Sequence, residues 1–327
     1  MSDITHEISL DRFHEQISYV LNSYSNHGYT TQTINNVVIG GLGGSGIGGR
    51  IAKLAFFTVS PVPVEVYSEY SLPAYAGENT LVILCSYSGN TEETLAMYAE
   101  ARKRGCKIIC LASGGKLHDQ SLADGYRFYT VEQGYQPRMA LGYSLSTLLM
   151  ILGELTGTDM RSRLQSVMES LKNNAGIKEK ALTMFDYFRE TVHNKFVIIC
   201  DLAFEGVAIR CCQQIQENAK GEAFISLLPE ANHNMIESYY GAHDTNFLVL
   251  DSKLNHRTTA RFQFVRNELA SHSNRIYEYP VSEFNLNTLF EVIHATDWLS
   301  IWMSDAKGVN NMQVGIIMRL KAYLDEI

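Results

Sequence analysis

Residues 36–49 read NVVIGGLGGSGIGG, and the architecture expected for the whole chain starts from this stretch. Its first part, Asn36–Gly40, is a short β-branched run that stops at glycine, as a buried parallel strand does. The residues after the glycines, Ile47–Phe57, have a helical pattern. Glycines at such a junction let the backbone approach a ligand, and the start of the helix presents unpaired N–H groups to an anion. The stretch therefore predicts a ligand-binding turn in an α/β sheet.

The rest of the first half repeats this alternation of short apolar runs and longer helical patterns. Strands that alternate with helices of about 10–15 residues indicate βαβ units and a parallel sheet. The predicted strands are Val64–Tyr67, Leu81–Cys85, Ile108–Leu111 and Phe128–Val131. The predicted helices are Thr91–Arg104 and Ala140–Leu155, with a weaker helical pattern before residue 36.

The alternation starts again after a polar segment, residues 157–180. The strands predicted there are Phe196–Asp201, Phe224–Leu227, Phe247–Asp251 and Arg275–Tyr279, and the helices Phe204–Asn218, Thr258–Leu269, Leu286–Met303 and Ile316–Tyr323. We predict an α/β protein with two doubly wound, flavodoxin-like parallel-sheet domains and helices on both faces. Residues 1–156 form an N-terminal helix and the first domain, 157–180 a linker or helix, and 181–327 the second domain with a C-terminal helix.

The composition is that of a folded protein and excludes several classes of partner. Of the 327 residues, 46% are hydrophobic, and the net charge of −8 lacks the basic excess of a nucleic-acid-binding domain. No apolar run approaches the roughly 18 residues of a membrane span, and the first residues lack the pattern of a signal peptide. We therefore expect a cytoplasmic protein that binds neither nucleic acid nor a membrane.

The cysteines and histidines indicate neither redox chemistry nor a metal site. No two of the six cysteines form a CxxC pair and most lie in apolar segments, so we predict reduced thiols in the protein core. They are Cys85, Cys106, Cys110, Cys200, Cys211 and Cys212. Outside the motifs described below, His243, His256 and His294 show no helical metal-binding spacing with a carboxylate. We predict no metal and no cofactor.

The glycine run by itself fits two kinds of ligand. A GxGxxG match (Gly41, Gly43, Gly46) is typical of a dinucleotide-binding turn, but no acidic residue for a ribose follows about 20 residues later. Ser45, in the middle of the loop, suits a phosphate. From this loop alone, a dinucleotide and a sugar phosphate are equally well supported.

The second loop favours the sugar phosphate. The predicted strand Leu81–Cys85 runs into SYSGNTEET (residues 86–94), which places the hydroxyls of Ser86, Ser88 and Thr91 at the start of a helix, where N–H donors and the helix dipole favour an anion. Asn90 is a candidate cap for that helix, with Glu93 as its capping-box partner, and a capped turn without a ligand is the alternative. Both loops follow the carboxyl ends of parallel strands, where such sheets bind ligands.

These motifs together resemble the sugar isomerase (SIS) domain and, more narrowly, the bifunctional phosphoglucose/phosphomannose isomerases, which contain two such domains. QPRMALGY at 136–143, QENAK at 216–220, PEANHN at 229–234 and a late lysine, Lys321, match that family in the expected order. The resemblance implies that the chain interconverts glucose 6-phosphate, and mannose 6-phosphate, with fructose 6-phosphate through an enediolate. The residues that it implies for binding the phosphate are Gly44, Ser45, Ser86, Ser88 and Thr91.

The same resemblance implies the catalytic residues. Glu217 is the base that moves a proton between C1 and C2, and Arg138 stabilises the enediolate. Lys321 assists at the ring oxygen, although Lys307 is a competing candidate. His233 assists ring opening from the neighbouring subunit of a homodimer. Each residue also has a structural alternative: a solvated helix-end acid for Glu217, a surface ion pair for Arg138 and a surface or core histidine for His233.

Two further points bear on the function. Where the family has Thr-Pro before its last helix, this chain has Met312-Gln313, which makes phosphoglucose activity a safer prediction than phosphomannose activity. A sugar-phosphate sensor on the same fold is the alternative without catalysis, but such regulators usually carry an added helix-turn-helix domain. A glutamine-dependent aminosugar synthase would need an additional amidotransferase domain.

Overall fold

A computed structural model describes residues 4–324 and 326 of the chain. The fold consists of two compact units, the first containing Asp11–Asn174 and the second Thr5–Leu10 and residues 175–324. Two helices, α1 (His6–Asp11) and α2 (Phe13–Ser23), precede the first strand. Each unit contains one parallel sheet with its own helices, which confirms the predicted fold class.

The sheet of the first unit has five parallel strands in the order β2-β1-β3-β4-β5. The strands are β1 (Asn36–Gly41), β2 (Val64–Tyr67), β3 (Thr80–Cys85), β4 (Lys107–Ala112) and β5 (Arg127–Thr130). The helices that follow α2 are α3 (Gly43–Ala55), α4 (Glu92–Lys103), α5 (Gly115–Ala123), α6 (Leu141–Thr156) and α7 (Met160–Lys172). Every residue of β3 is buried, because helices cover both faces of a doubly wound sheet.

The sheet of the second unit has four parallel strands in the order β7-β6-β8-β9. The strands are β6 (Lys195–Cys200), β7 (Ala223–Leu227), β8 (Thr245–Leu250) and β9 (Arg275–Glu278). The helices of this unit after α1 are α8 (Ala175–Phe188), α9 (Glu205–Asn218), α10 (His256–Ser271), α11 (Leu286–Ala306) and α12 (Gly315–Leu324). All nine strands fall within a residue or two of their predicted positions.

Three helices were not individually predicted: α5, and α7 and α8, which lie in or overlap the segment predicted as a linker or helix. Helix α5 follows β4 directly, and α7 lies within the polar segment 157–180. Asp159 begins α7 by accepting a hydrogen bond from the Ser162 N–H at 3.1 Å, and Leu164, Val167 and Leu171 are buried along one face. A domain boundary within 157–180 stays a prediction.

The cysteines are packed in the cores of the two units, as predicted. All six are buried and none forms a disulfide. Burial raises the pKa of the Cys85 thiol to about 12, so the reactive thiolate is disfavoured. Within residues 4–324 and 326, no helix combines the length and the apolar character needed to cross a membrane.

Candidate active site

The candidate site of the first unit lies where β1 and β3 end. The loop after β1 and the loop after β3 line one pocket, together with residues at the start of α6. Its lining residues are Gly44, Ser45, Cys85, Ser86, Tyr87, Leu111, Val131, Pro137, Ala140 and Ser144. The pocket therefore contains three of the five residues predicted to bind phosphate.

The hydroxyls of the two loops are joined by hydrogen bonds. Ser45 Oγ accepts a bond from the Tyr87 N–H at 3.0 Å, which connects the first loop to the second. Ser86 Oγ lies 2.8 Å from Thr91 Oγ1 and accepts a bond from the Gly89 N–H at 3.1 Å. These contacts hold Ser45, Ser86 and Thr91 beside the first turn of α4.

Ser88 and Asn90 lie on the exposed side of the second loop. Ser88 Oγ accepts a bond from the Asn90 N–H at 3.2 Å. The prediction that Asn90 caps α4 is wrong, because the residue at the N-cap position is Thr91. Asn90 instead accepts a bond from the Lys116 N–H at 3.0 Å and donates one to the Ser88 carbonyl at 3.2 Å. Its side chain thus joins the second loop to the start of α5.

A third loop, Ser113-Gly114-Gly115 after β4, supports the second loop and was missed in the sequence. The Ser113 N–H and hydroxyl both donate to the Tyr87 carbonyl, at 2.8 and 2.7 Å. A Cβ atom on Gly89 would lie 1.8 Å from the Gly114 carbonyl oxygen, so only glycine permits this approach. The signal was present, since a Ser-Gly-Gly run follows a predicted strand just as the other two loops do.

Arg138 lies in a single 3₁₀ turn, Pro137–Met139, between β5 and α6, and is buried with 4% of its surface exposed. This burial argues against the alternative of a surface ion pair. The turn packs closely on the first loop, because a Cβ atom on Gly44 would lie 2.8 Å from the Pro137 carbonyl carbon and 2.9 Å from the Arg138 nitrogen. Gly44 therefore allows the backbone of this turn to approach the start of α3.

Tyrosines fix the segment that leads from β5 to Arg138, residues 132–136. The Tyr143 hydroxyl donates to the Glu132 carboxylate. Burial, followed by this hydrogen bond, raises the pKa of Tyr143, so its hydroxyl stays protonated. The Tyr87 hydroxyl accepts a bond from the Tyr135 N–H at 2.7 Å and lies 3.0 Å from the Glu132 carbonyl oxygen, to which it donates.

In the second unit, Glu217 lies in the last turn of α9 and is half-buried. The helix is held against α11 by two polar contacts between buried side chains. Arg210 and Asp297 form an ion pair with Nη2 and Oδ2 2.6 Å apart, and Asn218 Nδ2 donates to Ser300 Oγ at 3.0 Å. Because Asn218 follows Glu217 directly, the second contact fixes the backbone next to the predicted base.

The lysines of this unit differ in their surroundings. Lys321 is exposed on α12. Lys307 is half-buried, and its Nζ lies 3.4 Å from the carbonyl oxygen of Lys220, three residues after Glu217. Burial lowers the pKa of Lys307. Lys220 itself donates to the carbonyls of Glu217 and of Gln313, the latter at 2.6 Å.

His233 ends a 3₁₀ turn, Glu230–His233, that follows β7, and its side chain is exposed. The asparagines on either side of it are used within the unit. Asn234 donates to the Glu230 carboxylate at 3.2 Å, and Asn232 Oδ1 lies 3.4 Å from an Arg261 guanidinium nitrogen. The loop thus presents the imidazole at the surface of this unit.

The end of β6 in the second unit has no glycine loop. Asp201 follows the strand and is buried, and its carboxylate accepts bonds from the Phe204 and Ser252 N–H groups, at 3.4 and 3.2 Å, and from the Ser252 hydroxyl. Burial raises the pKa of this carboxyl. Within residues 4–324 and 326, no three His, Cys, Asp or Glu side chains group as a metal ion requires.

Comparison with known proteins relates both units to SIS domains. Residues 32–131 match the SIS domain, and residues 177–324 match the bacterial phospho-glucose isomerase C-terminal SIS domain. A bifunctional phosphoglucose/phosphomannose isomerase of Caldicellulosiruptor bescii is 32% identical, over 90% of this chain and 91% of the relative. A D-glucosamine-6-phosphate 4-epimerase of Sulfolobus acidocaldarius is 35% identical over 67% of this chain and 69% of its own.

The fold is also found in solved structures of low identity. The crystal structure of glucosamine-6-phosphate deaminase from Thermotoga maritima superposes with a TM-score of 0.70 at 16% identity, covering 93% of this chain and 96% of that one. At this identity the likeness concerns the fold alone.

Proposed function

We propose a function from the family to which the chain belongs, that of the bifunctional phosphoglucose/phosphomannose isomerases. The proposed reaction interconverts glucose 6-phosphate, and mannose 6-phosphate, with fructose 6-phosphate. The observation that carries this proposal is the pocket at the ends of β1 and β3, which Ser45 and Ser86 line and where Ser86 is bonded to Thr91, the N-cap residue of α4. Backbone N–H groups, hydroxyls and the positive end of a helix dipole together favour a phosphate.

The pocket is suited to a substrate that must leave again. Its lining contains no lysine or arginine side chain, so neutral donors bind the phosphate. Serines and threonines supply hydroxyls, and the buried Ser86 is oriented by Thr91 and Gly89. In the proposed complex, Gly44, Ser45, Ser86, Ser88 and Thr91 contact the phosphate.

Glu217 is the proposed base of the isomerisation. An aldose–ketose isomerisation needs one group that removes a proton from C1 or C2 and returns it to the other carbon. Glu217 supports this role because it is half-buried and because Asn218, held by Ser300, fixes its helical turn. The intermediate between the two proton transfers is an enediolate.

Cations complete the proposed mechanism. Arg138 stabilises the enediolate oxygen, since a guanidinium keeps its charge at any physiological pH. Either Lys321 or Lys307 acts at the ring oxygen. Lys307 is favoured by its contact with the turn that follows Glu217, and burial lowers its pKa, which makes its ammonium group a better acid.

The proposed homodimer gives His233 its role. The imidazole is exposed on the surface of its own unit, as a residue that serves a neighbouring subunit must be. A histidine transfers protons near pH 7, which suits the opening of the sugar ring. We propose that His233 enters the active site of the partner and assists ring opening there.

The test is conversion of fructose 6-phosphate in D₂O, followed by NMR. We expect glucose 6-phosphate with deuterium at C2, because the proton held by the base exchanges with solvent. Parallel reactions with mannose 6-phosphate and glucose 6-phosphate compare the two epimers. Prolonged treatment with EDTA leaves the rates unchanged if, as predicted, no metal takes part. Absence of any aldose–ketose conversion would contradict the proposal.

A second candidate comes from the 35% identical relative that is a D-glucosamine-6-phosphate 4-epimerase. The chain also departs from its family at Met312-Gln313, where the Gln313 N–H donates to Asn310 Oδ1 at 3.3 Å, a bond that proline cannot make. Incubation with glucosamine 6-phosphate separates the two candidates. Inversion at C4 would favour the epimerase, whereas an isomerase leaves C4 unchanged.

A further inference from the structure

One residue of the pocket lining that was not among the predicted site residues, Tyr87, contacts all three loops at the strand ends. Its backbone joins the three loops at the strand ends. The Tyr87 N–H donates to Ser45 Oγ in the first loop at 3.0 Å. The Tyr87 carbonyl accepts from the N–H and the hydroxyl of Ser113 in the third loop, at 2.8 and 2.7 Å. The backbone of one residue thus fixes the distances between the loops after β1, β3 and β4.

The Tyr87 side chain reaches in another direction, to residues 132–136. Its hydroxyl accepts from the Tyr135 N–H at 2.7 Å and donates to the Glu132 carbonyl at 3.0 Å. A tyrosine hydroxyl serves as donor and acceptor together only while it is protonated. Burial raises the pKa of Tyr87, so this state persists under physiological conditions.

Residues 132–136 lead directly into the turn that contains Arg138. The turn begins with a hydrogen bond from the Met139 N–H to the Gln136 carbonyl, at 2.8 Å. The same segment is bound to the third loop, because Gln133 Nε2 donates to the Ser113 carbonyl at 2.9 Å. A displacement of Tyr135 would therefore be passed along the backbone to Arg138.

We infer that Tyr87 is a positioning residue that couples the phosphate-binding loops to the turn carrying Arg138. The inference rests on the proposed function, in which those loops bind phosphate and Arg138 stabilises the enediolate. The backbone of Tyr87 holds the phosphate-binding loops in position, and its hydroxyl holds the segment that positions Arg138. Removing only the hydroxyl consequently affects the reaction more than the binding of phosphate.

The experiment uses Tyr87→Phe in the full-length chain, with Tyr98→Phe as the matched control. Tyr98 lies in the same unit and donates its hydroxyl to Asp124 at 2.6 Å, near the amino end of β5. Hydrogen exchange, followed by mass spectrometry, is measured on peptides covering residues 132–139. Steady-state rates with fructose 6-phosphate and inhibition by inorganic phosphate are measured on the same preparations.

For Tyr87→Phe we expect faster exchange at residues 132–136 and a kcat lower by about 10- to 100-fold, as for a catalytic group displaced by about 1 Å. The KM and the inhibition constant for phosphate should change by less than about twofold, because the backbone contacts of Tyr87 remain. Tyr98→Phe should leave both kcat and exchange at 132–136 unchanged.

Three outcomes would overturn the inference: unchanged exchange at 132–136, an unchanged kcat, or a rise in KM and in the phosphate inhibition constant as large as the fall in kcat. The last would mean that the hydroxyl holds the phosphate loops themselves. If the unmodified chain converts no hexose phosphate, the proposed function fails. In that case the exchange comparison between the two variants still decides whether Tyr87 holds residues 132–136.

Discussion

Four strands of the first sheet have the same order as the four strands of the second, and the two sheets differ at the end of the first strand in sequence. Strands β2-β1-β3-β4 correspond in position to β7-β6-β8-β9. After β1 the chain continues into glycines and Ser45, which leave a pocket. After β6 it continues into Asp201, whose carboxylate accepts hydrogen bonds from the Phe204 and Ser252 N–H groups. An acidic side chain thus follows the first strand of the second sheet, where the first sheet has glycines and a pocket.

This difference indicates that the residues after the strand decide whether the edge of the sheet keeps an open pocket. N–H donors at the start of a helix need an acceptor. In the second unit the Asp201 carboxylate accepts one such bond, from the Phe204 N–H before α9 at 3.4 Å, although burial disfavours its charge and raises its pKa.

The largest effect is expected for Glu217, the proposed base in the second unit. Glu217→Gln should lower kcat by about 10²–10⁴-fold, because an amide cannot carry the proton between the two carbons. Binding of fructose 6-phosphate, measured by calorimetry, should persist. Glu222→Gln is the matched control, since Glu222 is exposed and pairs with Lys195 at 3.5 Å. Near-normal turnover in Glu217→Gln would remove this residue as the base.

The next largest effect is expected at Gly44, where the start of α3 packs closely on the turn that contains Arg138. Gly44→Ala would place a Cβ atom 2.8 Å from the Pro137 carbonyl carbon, so the turn with Arg138 must shift. A shift of about 1 Å should lower kcat/KM by about 10²-fold. Gly77→Ala is the control, because nothing lies within 4 Å of its added Cβ. Equal activity of the two variants would show that the turn adapts without cost.

A smaller effect is expected at the exposed hydroxyl of the second loop. Ser88→Ala should raise KM by about tenfold and change kcat less, because a hydrogen bond to a charged phosphate contributes roughly 1.5–3 kcal/mol throughout the reaction. Ser23→Ala removes a hydroxyl that donates to the Tyr19 carbonyl at 2.8 Å and serves as control. An unchanged KM would mean that Ser88 only supports its own turn.

The smallest kinetic effect is expected for Asp201, the buried residue that follows β6 in the second sheet. Asp201→Ala should leave kcat and KM unchanged but lower the free energy of unfolding by about 1–3 kcal/mol, because buried N–H donors lose their acceptor. Since the pKa of Asp201 is raised in the fold, its contribution is largest below the ordinary carboxyl pKa and falls as pH rises. Denaturant unfolding between about pH 4 and pH 7 measures this slope.

Titration of Asp201→Ala and of the unmodified chain with inorganic phosphate tests the difference between the two sheets directly. The unmodified chain should bind one inorganic phosphate per chain. Binding of a second phosphate by Asp201→Ala would show that the Asp201 carboxylate alone prevents an anion from binding at the end of β6. A loss of stability that grows as pH rises would contradict the assigned role of Asp201.

The central strands were predictable because β1, β3, β4, β6 and β8 are short apolar runs that are almost entirely buried. The edge strands β2, β5, β7 and β9 are only partly buried and were recognised from the alternation with helices. Periodicity also gave most long helices, but it left α7 open as a linker or helix, because polar residues surround a narrow buried face of Leu164, Val167 and Leu171. It did not single out α8 either. The cap of α4 was predicted wrongly, because the capping preference of Asn90 is a local property. Its actual partner is the Lys116 N–H, 26 residues away in sequence.

Those parts of the site that depend on a particular residue type, such as glycine or serine, were predictable from the sequence. Those that depend on a contact between residues far apart in the chain were not. Glycines and hydroxyls in two loops drew attention to Ser45 and Ser86, which the structure places in one pocket. Tyr87 stands between two quoted serines, yet nothing local indicates that its hydroxyl reaches Tyr135, 48 residues later. Contacts of this kind depend on how loops from separate strands meet. The roles of Glu217, His233 and Lys321 stay predictions.

The distribution of the six buried thiols provides each unit with its own reporter. Three of them, Cys85, Cys106 and Cys110, belong to the first unit, and Cys200, Cys211 and Cys212 belong to the second. A labelling reagent reaches a buried sulfur only when the surrounding structure opens, so its rate of attachment measures that opening. Peptide-resolved alkylation would therefore show which half of the molecule loosens first, without a single engineered probe.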